Sequence, residues 1–305
     1  MVLDGLHHVT AVTADAPAAT DFYARVLGLR LVKKTVNFDQ PDVYHLYFGD
    51  DAGAPGSILT FFEFPGVALG RPGEGMVHTV QWRVPGTAAL AFWEDRLRAE
   101  GVAVKQCTET AVRFCDHEGL RHELLAADLD DAPLVADSEE IPPEHALQGL
   151  QGVRAYARRP DACGAVLQAL GFERADGEAT WRLTGGSRQA ELRYDQAPPE
   201  NGHQGAGTVH HVAWAAADDA ALEAAGRDAA GAGARPSPVI DRRYFHSVYF
   251  HEPGGVLFEV ASCDLGFALD EAPDALGQEL KLPPQFEGQR AELERRLRPL
   301  PNPRV

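Results

Sequence analysis

Two short stretches, Leu6-His7-His8-Val9-Thr10 and Val209-His210-His211-Val212-Ala213, carry the strongest pattern in this sequence. Each places a pair of histidines inside a run of apolar and β-branched residues, which is typical of a buried β-strand. A third stretch, Gly254-Gly255-Val256-Leu257-Phe258-Glu259-Val260, adds one carboxylate on another predicted strand. Two histidines and one carboxylate form a common ligand set for a metal ion, and the three stretches therefore indicate a metal site.

Strand geometry restricts which of these side chains can meet. Because neighbouring side chains on a strand point to opposite faces, we expect only one histidine of each pair to enter a given pocket. Glu259 shares its face with Leu257 and Ala261, and a carboxylate buried there without a partner would cost several kcal/mol, which a metal ion would offset. A single strand histidine is more often an ordinary core residue than a ligand, so the recurrence of the pair favours the metal site.

The chain repeats one pattern, a short apolar strand followed by a helix and then three strands. One such unit cannot bury a sheet face alone, so we predict an α+β fold in which four βαβββ modules pair into two curved sheets, each enclosing a pocket. The modules span residues 5–65, 75–125, 150–195 and 208–262, and a C-terminal tail spans residues 263–305. We predict helices near residues 15–28, 87–100, 160–171 and 218–230, with a short helix at residues 287–297.

The second and third modules lack most of the histidines. Residues 112–123 align without gaps against residues 248–259. The residues that fall opposite Glu259, His211 and His8 are, in that order, Glu123, Thr79 and Gly152. We therefore predict one metal site per chain, with the second and third modules serving as structure.

Composition excludes several classes of partner. The 305 residues carry a formal net charge of −17 without a cluster of Lys or Arg, so nucleic acid and anionic membrane surfaces are not expected partners. No apolar run approaches the roughly 20 residues of a membrane span, and the first residues do not resemble a signal peptide. The four cysteines form no CxxC pair, and we interpret them as reduced core thiols of a cytoplasmic protein. The sequence leaves open whether the chain forms a homo-oligomer.

The chain resembles the vicinal oxygen chelate superfamily, which includes glyoxalase I, bleomycin and fosfomycin resistance proteins, and extradiol ring-cleaving dioxygenases. Within this superfamily it is most similar to the hydroquinone-type ring-cleaving dioxygenases, and the similarity runs nearly the full length. The motifs that carry it are Leu6-His7-His8-Val9-Thr10, Val43-Tyr44-His45-Leu46-Tyr47-Phe48, His210-His211-Val212-Ala213, Asp241-Arg242-Arg243-Tyr244-Phe245, Tyr249, Glu252-Pro253-Gly254-Gly255-Val256-Leu257-Phe258-Glu259 and Leu282-Pro283-Pro284-Gln285-Phe286-Glu287.

The resemblance implies a ligand set and a cofactor. It implies that the second histidine of each pair, His8 and His211, binds the metal together with Glu259, and that the metal is Fe(II), with Mn and Zn as alternatives. These ligands come from the first and fourth modules. We therefore expect the first and fourth modules to form the barrel that holds the metal, and the second and third modules to form the other barrel.

The resemblance also implies residues around the metal that take part in catalysis. His7, His210 and Tyr249 are candidates for general acid–base work, and Arg242 is a candidate for stabilising developing oxyanion charge. Arg243 can fill the role of Arg242 instead, because this chain is shorter between Asp241 and Tyr244 than the chlorohydroquinone enzymes.

The function implied is that of an Fe(II)-dependent, ring-cleaving (extradiol-type) dioxygenase. Its substrates would be dioxygen and a small hydroquinone-like or catechol-like diol, as in the breakdown of aromatic compounds. Two alternatives remain open. One is a metal-dependent isomerase or transferase of the glyoxalase or fosfomycin type, and the other is a metal-free resistance protein that binds an aromatic compound.

Overall fold

The computed structural model describes residues 3–127, 130–175, 179–300 and 302. Four sets of strands follow one another along the chain. The first set is β1 (Leu6–Thr13), β2 (Arg30–Val36), β3 (Tyr44–Gly49) and β4 (Ile58–Glu63), and the second is β5 (Val77–Val84), β6 (Val104–Cys107), β7 (Ala111–Cys115) and β8 (Arg121–Ala126). The third is β9 (Leu150–Ala157), β10 (Glu173–Arg174), β11 (Thr180–Thr184) and β12 (Gln189–Gln196), and the fourth is β13 (Val209–Ala216), β14 (Ile240–Asp241), β15 (His246–His251) and β16 (Leu257–Ser262).

One helical segment follows the first strand of each set. These are α1 (Ala16–Thr20), which continues into a π-helix (Asp21–Val26), α2 (Thr87–Ala99), α3 (Gly164–Ala169) and α4 (Asp219–Gly231). The tail contains α5 (Arg290–Arg296), and short 3-10 helices cover Pro143–His145, Pro160–Cys163, Phe267–Leu269, Pro273–Ala275 and Pro284–Gln289. The side chains of Asp15 and Asp218 cap α1 and α4 by accepting hydrogen bonds from backbone N–H groups three residues on.

The strands form two sheets of eight, and the predicted α+β architecture is confirmed. The first sheet has the order β14-β15-β16-β13-β1-β4-β3-β2, and the second has the order β10-β11-β12-β9-β5-β8-β7-β6. In the first sheet β1 and β13 pair antiparallel at the centre, and each pairs in parallel with the last strand of its own set. The first and fourth sets therefore share one sheet, which brings the two ends of the sequence together.

The tail packs against the first sheet along β2 and at the start of β3. The ammonium group of Lys33 is fully buried and pairs with Asp270 and Glu271, and Nζ of Lys34 donates to the carbonyl oxygen of Leu300 at 2.9 Å. The hydroxyl of Tyr44 donates to the carbonyl oxygen of Arg298 at 2.8 Å. Of the predicted tail, residues 301 and 303–305 lie outside the described residues.

Several local predictions were wrong. The helix predicted from residue 160 begins as a 3-10 turn before α3. The tail helix starts at Arg290, since Pro284–Gln289 is a 3-10 helix. All four cysteines are unpaired, but only Cys163 is buried, and Cys107 and Cys263 are exposed rather than in the core. Among the described residues, no helix has both the length and the apolar character needed to span a bilayer.

Candidate metal centre

Three side chains that are distant in the sequence converge in the middle of the first sheet. His8 lies on β1, His211 on the adjacent β13, and Glu259 on β16, which pairs with β13. Nε2 of His8 lies 3.3 Å from Nε2 of His211, and Oε2 of Glu259 lies 3.3 Å from the first nitrogen and 2.8 Å from the second. In the described part of the chain, no other group of three or more His, Cys, Asp or Glu side chains is close enough to hold a metal ion.

These three atoms fit a divalent transition metal. At metal–ligand bonds of about 2.1 Å, two ligands at right angles are about 3.0 Å apart, which is close to the three observed distances. Although Nε2 of His211 lies 2.8 Å away, Oε2 of Glu259 is buried and accepts no hydrogen bond of acceptable geometry. A buried carboxylate oxygen without a donor and two facing imidazole nitrogens are the groups that a bound cation would satisfy.

A second histidine contacts each candidate ligand histidine at Nδ1, the ring nitrogen that does not face the other candidate ligands. Nδ1 of His7 lies 2.9 Å from Nδ1 of His8, and Nδ1 of His210 lies 2.8 Å from Nδ1 of His211. A hydrogen bond at Nδ1 fixes the ring orientation and leaves Nε2 for the metal. Each His-His pair therefore combines one candidate ligand with a second histidine that orients it.

The two supporting histidines differ in their surroundings. His7 is buried, packs against Phe245 and does not line the cavity described below. His210 is exposed and lines that cavity together with His211. The expectation that only one histidine of each pair faces the pocket was therefore wrong for the second pair, because His7 is buried against Phe245 whereas the ring of His210 is exposed beside that of His211. Burial, and then the neighbouring His8, lowers the pKa of His7 to about 3.

The carboxylate of Glu259 is also fixed in position. Glu259 is fully buried, and the hydroxyl of Ser247 donates a hydrogen bond to its Oε1. Burial opposes ionisation, but the adjacent His8 and His211 hold the pKa of Glu259 well below its usual value. The carboxylate is thus kept ionised, as a metal ligand must be.

A cavity of about 320 Å³ opens over the three ligand atoms. Polar and apolar side chains both line it. The apolar lining residues are Phe38, Phe62, Phe64, Phe245 and Leu257. A small cavity with apolar walls and a few converging polar groups is typical of a site for a small, largely apolar molecule.

The structure distinguishes between the two neighbouring arginines. Arg242 lines the cavity, and its Nε donates to the hydroxyl of Tyr249 at 3.1 Å. Arg243 has a backbone φ of 67° and turns away, so that its Nε donates to Asp270 at 3.2 Å. Arg242 is therefore the arginine that faces the candidate metal centre.

Tyr249 and His246 lie in different surroundings. Tyr249 lines the cavity on the strand beside Glu259, and burial, followed by the charge of Glu259, raises its pKa. His246 lies outside the cavity wall, where its Nδ1 is 2.7 Å from Asp219. His246 therefore does not contact the space over the ligands.

Sequence reasoning assigned no role to His45, which also lines the cavity. Its Nε2 lies 2.9 Å from the hydroxyl of Thr60, which donates to the hydroxyl of Thr10 at 3.0 Å. Its Nδ1 lies 3.0 Å from the hydroxyl of Tyr47. The alternation of β3, on which His45 and Tyr47 share a face, was the signal that could have placed both residues in the cavity.

Comparison with known proteins places the chain in a family. The profile of the Glyoxalase/Bleomycin resistance protein/Dioxygenase superfamily matches residues 5–115 and 166–260. A Bacillus subtilis (strain 168) protein named "Putative ring-cleaving dioxygenase MhqO" is 40% identical over 97% of this chain and 96% of its own length. The chlorohydroquinone/hydroquinone 1,2-dioxygenase of Sphingobium indicum is 34% identical over 95% of each chain.

Solved structures agree with this fold. A crystal structure described as that of a "putative dioxygenase" from Bacillus subtilis superimposes on this chain with a TM-score of 0.89 at 38% identity. The superposition covers 98% of each chain. A variant of glyoxalase I from Zea mays superimposes with a TM-score of 0.65 at 14% identity, over 88% of this chain and 96% of that one. At that identity the second likeness shows the shared fold alone.

Proposed function

The chain belongs to the Glyoxalase/Bleomycin resistance protein/Dioxygenase superfamily, and on that basis we propose that it is an Fe(II)-dependent ring-cleaving dioxygenase of the extradiol type. Its substrates are dioxygen and a small hydroquinone-like or catechol-like diol. The observation that carries the proposal is the convergence of His8, His211 and Glu259 in a cavity that is also lined by several aromatic side chains. The names of the relatives support the same reaction class.

His8, His211 and Glu259 would hold the metal. Bound Fe(II) would supply coordination positions for a diol oxygen and for dioxygen, together with the electron transfer that the reaction requires. The two imidazoles and one carboxylate leave that cation with a net positive charge, which favours binding of the diol in an ionised form. His7 and His210 would accept hydrogen bonds from Nδ1 of His8 and His211, and Ser247 donates one to Glu259, so that all three ligands are held in place.

The cavity walls would bind and orient the ring. Phe62 and Phe245 lie beside the ligand histidines, with Phe245 5.2 Å from the ring of His8 and Phe62 6.3 Å from that of His211. Aromatic faces at these positions can pack against a substrate ring, and their burial reduces the water around the reacting atoms. A flat monocyclic diol fits this role better than a long or highly charged molecule.

Proton transfer is assigned to residues that reach the cavity. The hydroxyl of Tyr249 accepts a hydrogen bond from Arg242 and keeps its own proton, which makes it a donor to an oxygen atom bound over Glu259. His210 lies on the wall and is exposed, so it is placed to exchange a proton between the cavity and solvent. His7 is buried behind His8 and acts by positioning that ligand. Arg242 supplies the positive charge that stabilises an oxyanion.

Isotopic labelling tests the reaction class. Protein loaded with Fe(II) in the absence of air is mixed with hydroquinone, methylhydroquinone or catechol under ¹⁸O₂, and the products are analysed by mass spectrometry. We expect a ring-opened product that carries both atoms of the labelled dioxygen. Conversion without label, or no conversion by protein that holds one iron per chain, would contradict the proposal.

A further inference from the structure

A chain of hydrogen bonds through four side chains ends in the cavity over the candidate metal ligands. The hydroxyl of Tyr47 lies 3.0 Å from Nδ1 of His45, and Nε2 of His45 lies 2.9 Å from the hydroxyl of Thr60. The hydroxyl of Thr60 in turn donates to that of Thr10 at 3.0 Å. Thr10, His45 and Tyr47 line the cavity, whereas Thr60 is buried between them.

Three adjacent strands place these side chains. Thr60 on β4 pairs with Thr10 on β1 on one side and with Tyr47 on β3 on the other. His45 lies two residues before Tyr47, and Thr10 lies two residues after His8, so each shares the strand face of that neighbour. The chain of hydrogen bonds therefore crosses the sheet and ends on the face that carries a candidate metal ligand.

The donors and acceptors along this chain can be assigned. Each hydroxyl has one proton to donate, and a neutral imidazole has one N–H group. Burial holds the pKa of His45 well below its ordinary value, so its ring is neutral. Since Thr60 donates its proton to Thr10, it accepts a hydrogen bond from Nε2 of His45. Nδ1 of His45 is then without a proton and accepts from the hydroxyl of Tyr47.

This order of donors leaves one proton over, on the hydroxyl of Thr10. In the part of the chain that the structure describes, no group accepts that proton. The oxygen of Thr10 is held by the hydrogen bond that it receives from Thr60, so its own O–H group is available to a molecule in the cavity. A buried donor without an acceptor is unfavourable, and a ligand oxygen would satisfy it.

We propose that Thr10 donates a hydrogen bond to an oxygen atom of the bound diol, and that His45 is a positioning residue that fixes the direction of this donor through Thr60. The inference rests on the proposed function, in which an ionised diol occupies the cavity. A hydrogen bond to a charged oxygen is stronger than a neutral one, and the preceding bonds of the chain polarise the donor further. Because the donor is already oriented, it does not have to reorganise when the diol binds.

The protonation of the His45 ring is the first test. Protein labelled with ¹⁵N-histidine is loaded with Zn(II), which has no redox chemistry, and long-range ¹H–¹⁵N correlation spectra identify the protonated nitrogen. The spectrum of His45→Gln assigns the signals. We expect the proton on Nε2 and none on Nδ1. A proton on Nδ1, or on both nitrogens, would overturn the proposal.

Anaerobic titration calorimetry with hydroquinone on the Zn(II)-loaded protein is the second test. Thr10→Val and His45→Leu should each weaken hydroquinone binding at least about tenfold. Thr10→Ser and His45→Gln keep the donor and acceptor groups and should bind within about threefold of wild type. Thr35→Val is the matched control, because the hydroxyl of Thr35 is buried on β2, has no partner among the described residues and does not line the cavity.

Thr60→Val, with Thr60→Ser as the variant that restores the hydroxyl, interrupts the chain without altering the imidazole and should give the same contrast. Zinc content and thermal unfolding check that each variant keeps its metal and its fold. Wild-type affinity in Thr10→Val, or equal losses in His45→Leu and His45→Gln, would overturn the proposal. Absence of hydroquinone binding by wild type would overturn the proposed function with it, whereas binding without ring cleavage by the Fe(II)-loaded protein would contradict the proposed function alone.

Discussion

His8 and His211 are 203 residues apart in the chain, yet their Nε2 atoms lie 3.3 Å apart across the antiparallel pair of β1 and β13. This contact joins the first and fourth strand sets at the centre of one sheet. The same strand β13 pairs with β16 on its other side, which brings Glu259 to both histidines. The three candidate ligands therefore lie on three adjacent strands.

Loss of any one ligand should abolish tight metal binding. We expect wild-type protein to bind one Fe(II) per chain, and His8→Ala, His211→Ala and Glu259→Ala to weaken binding more than about 100-fold, since each removes a direct ligand. Metal content after dialysis, together with Fe(II) titration, measures this. Glu123→Gln, at the equivalent place in the second sheet, is the control and should still bind one iron. Loss of iron from this control, or its retention by Glu259→Ala, would contradict the assignment.

Substitution of the two supporting histidines should affect Fe(II) affinity and turnover differently. His7 contacts Nδ1 of His8 and does not line the cavity, so His7→Asn should weaken Fe(II) affinity about 10–100-fold while excess Fe(II) restores turnover. His210 also lines the cavity, so His210→Asn should retain a reduced kcat even when saturated with Fe(II). Turnover measured as a function of Fe(II) concentration separates the two. Full rescue of both variants would remove any catalytic role for His210.

Arg242 and Arg243 offer a pair of adjacent, identical side chains with different contacts. Arg242→Lys loses the Nε hydrogen bond to Tyr249 in the cavity, and we expect kcat/KM for the diol to fall about tenfold or more with metal content unchanged. Arg243→Lys alters a contact with Asp270 outside the cavity and should leave kcat/KM within about twofold of wild type. Steady-state oxygen uptake with varied diol checks both variants, and the reverse order of effects would show that the assignment is wrong.

A buried histidine in the second sheet should make stability depend on pH. His122 accepts a hydrogen bond from Nε1 of Trp82 at 3.1 Å, and burial lowers its pKa to about 4 from an ordinary value of 6.5. The unfolded chain takes up this proton more readily, so the stability is fully present above about pH 6.5 and is lost as the pH falls towards 4. Lowering the pH from about 7.5 to about 5 should therefore reduce the unfolding free energy by about 2 kcal/mol through this one group.

His122→Asn keeps an acceptor for Trp82 but does not titrate. Urea unfolding measures the loss of unfolding free energy between the two pH values. This loss should be about 2 kcal/mol smaller for the variant than for wild type. An identical pH dependence in the two proteins would show that His122 is not held neutral by the fold.

Much of this fold follows from local patterns. The strand at Val77–Val84 is recognisable in the sequence because β-branched and aromatic residues recur along it and Gly75 and Gly86 lie just beyond its ends. Asp15 and Asp218 were recognisable as caps because they precede helical runs. The His-His pairs stood out because polar residues are uncommon on buried strands.

Other features depend on geometry that a linear pattern does not contain. The direction of Arg242 relative to Arg243 is set by the left-handed backbone of Arg243, which the sequence does not mark with glycine. That His210 lines the cavity depends on the exposure of its ring beside His211, whereas the equivalent His7 is buried against Phe245. The contact of His45 with Thr60 requires knowing that β3 and β4 pair in one particular register.

The central claim is that an iron held by His8, His211 and Glu259 cleaves an aromatic diol with dioxygen. Oxygen uptake by Fe(II)-loaded protein with hydroquinone, compared among wild type, Glu259→Gln and Glu123→Gln, tests it most directly. We predict one dioxygen consumed per diol by wild type and by Glu123→Gln, and at least about a 100-fold slower rate for Glu259→Gln. Uptake by Glu259→Gln at the wild-type rate, or diol loss in wild type without oxygen uptake, would contradict the claim.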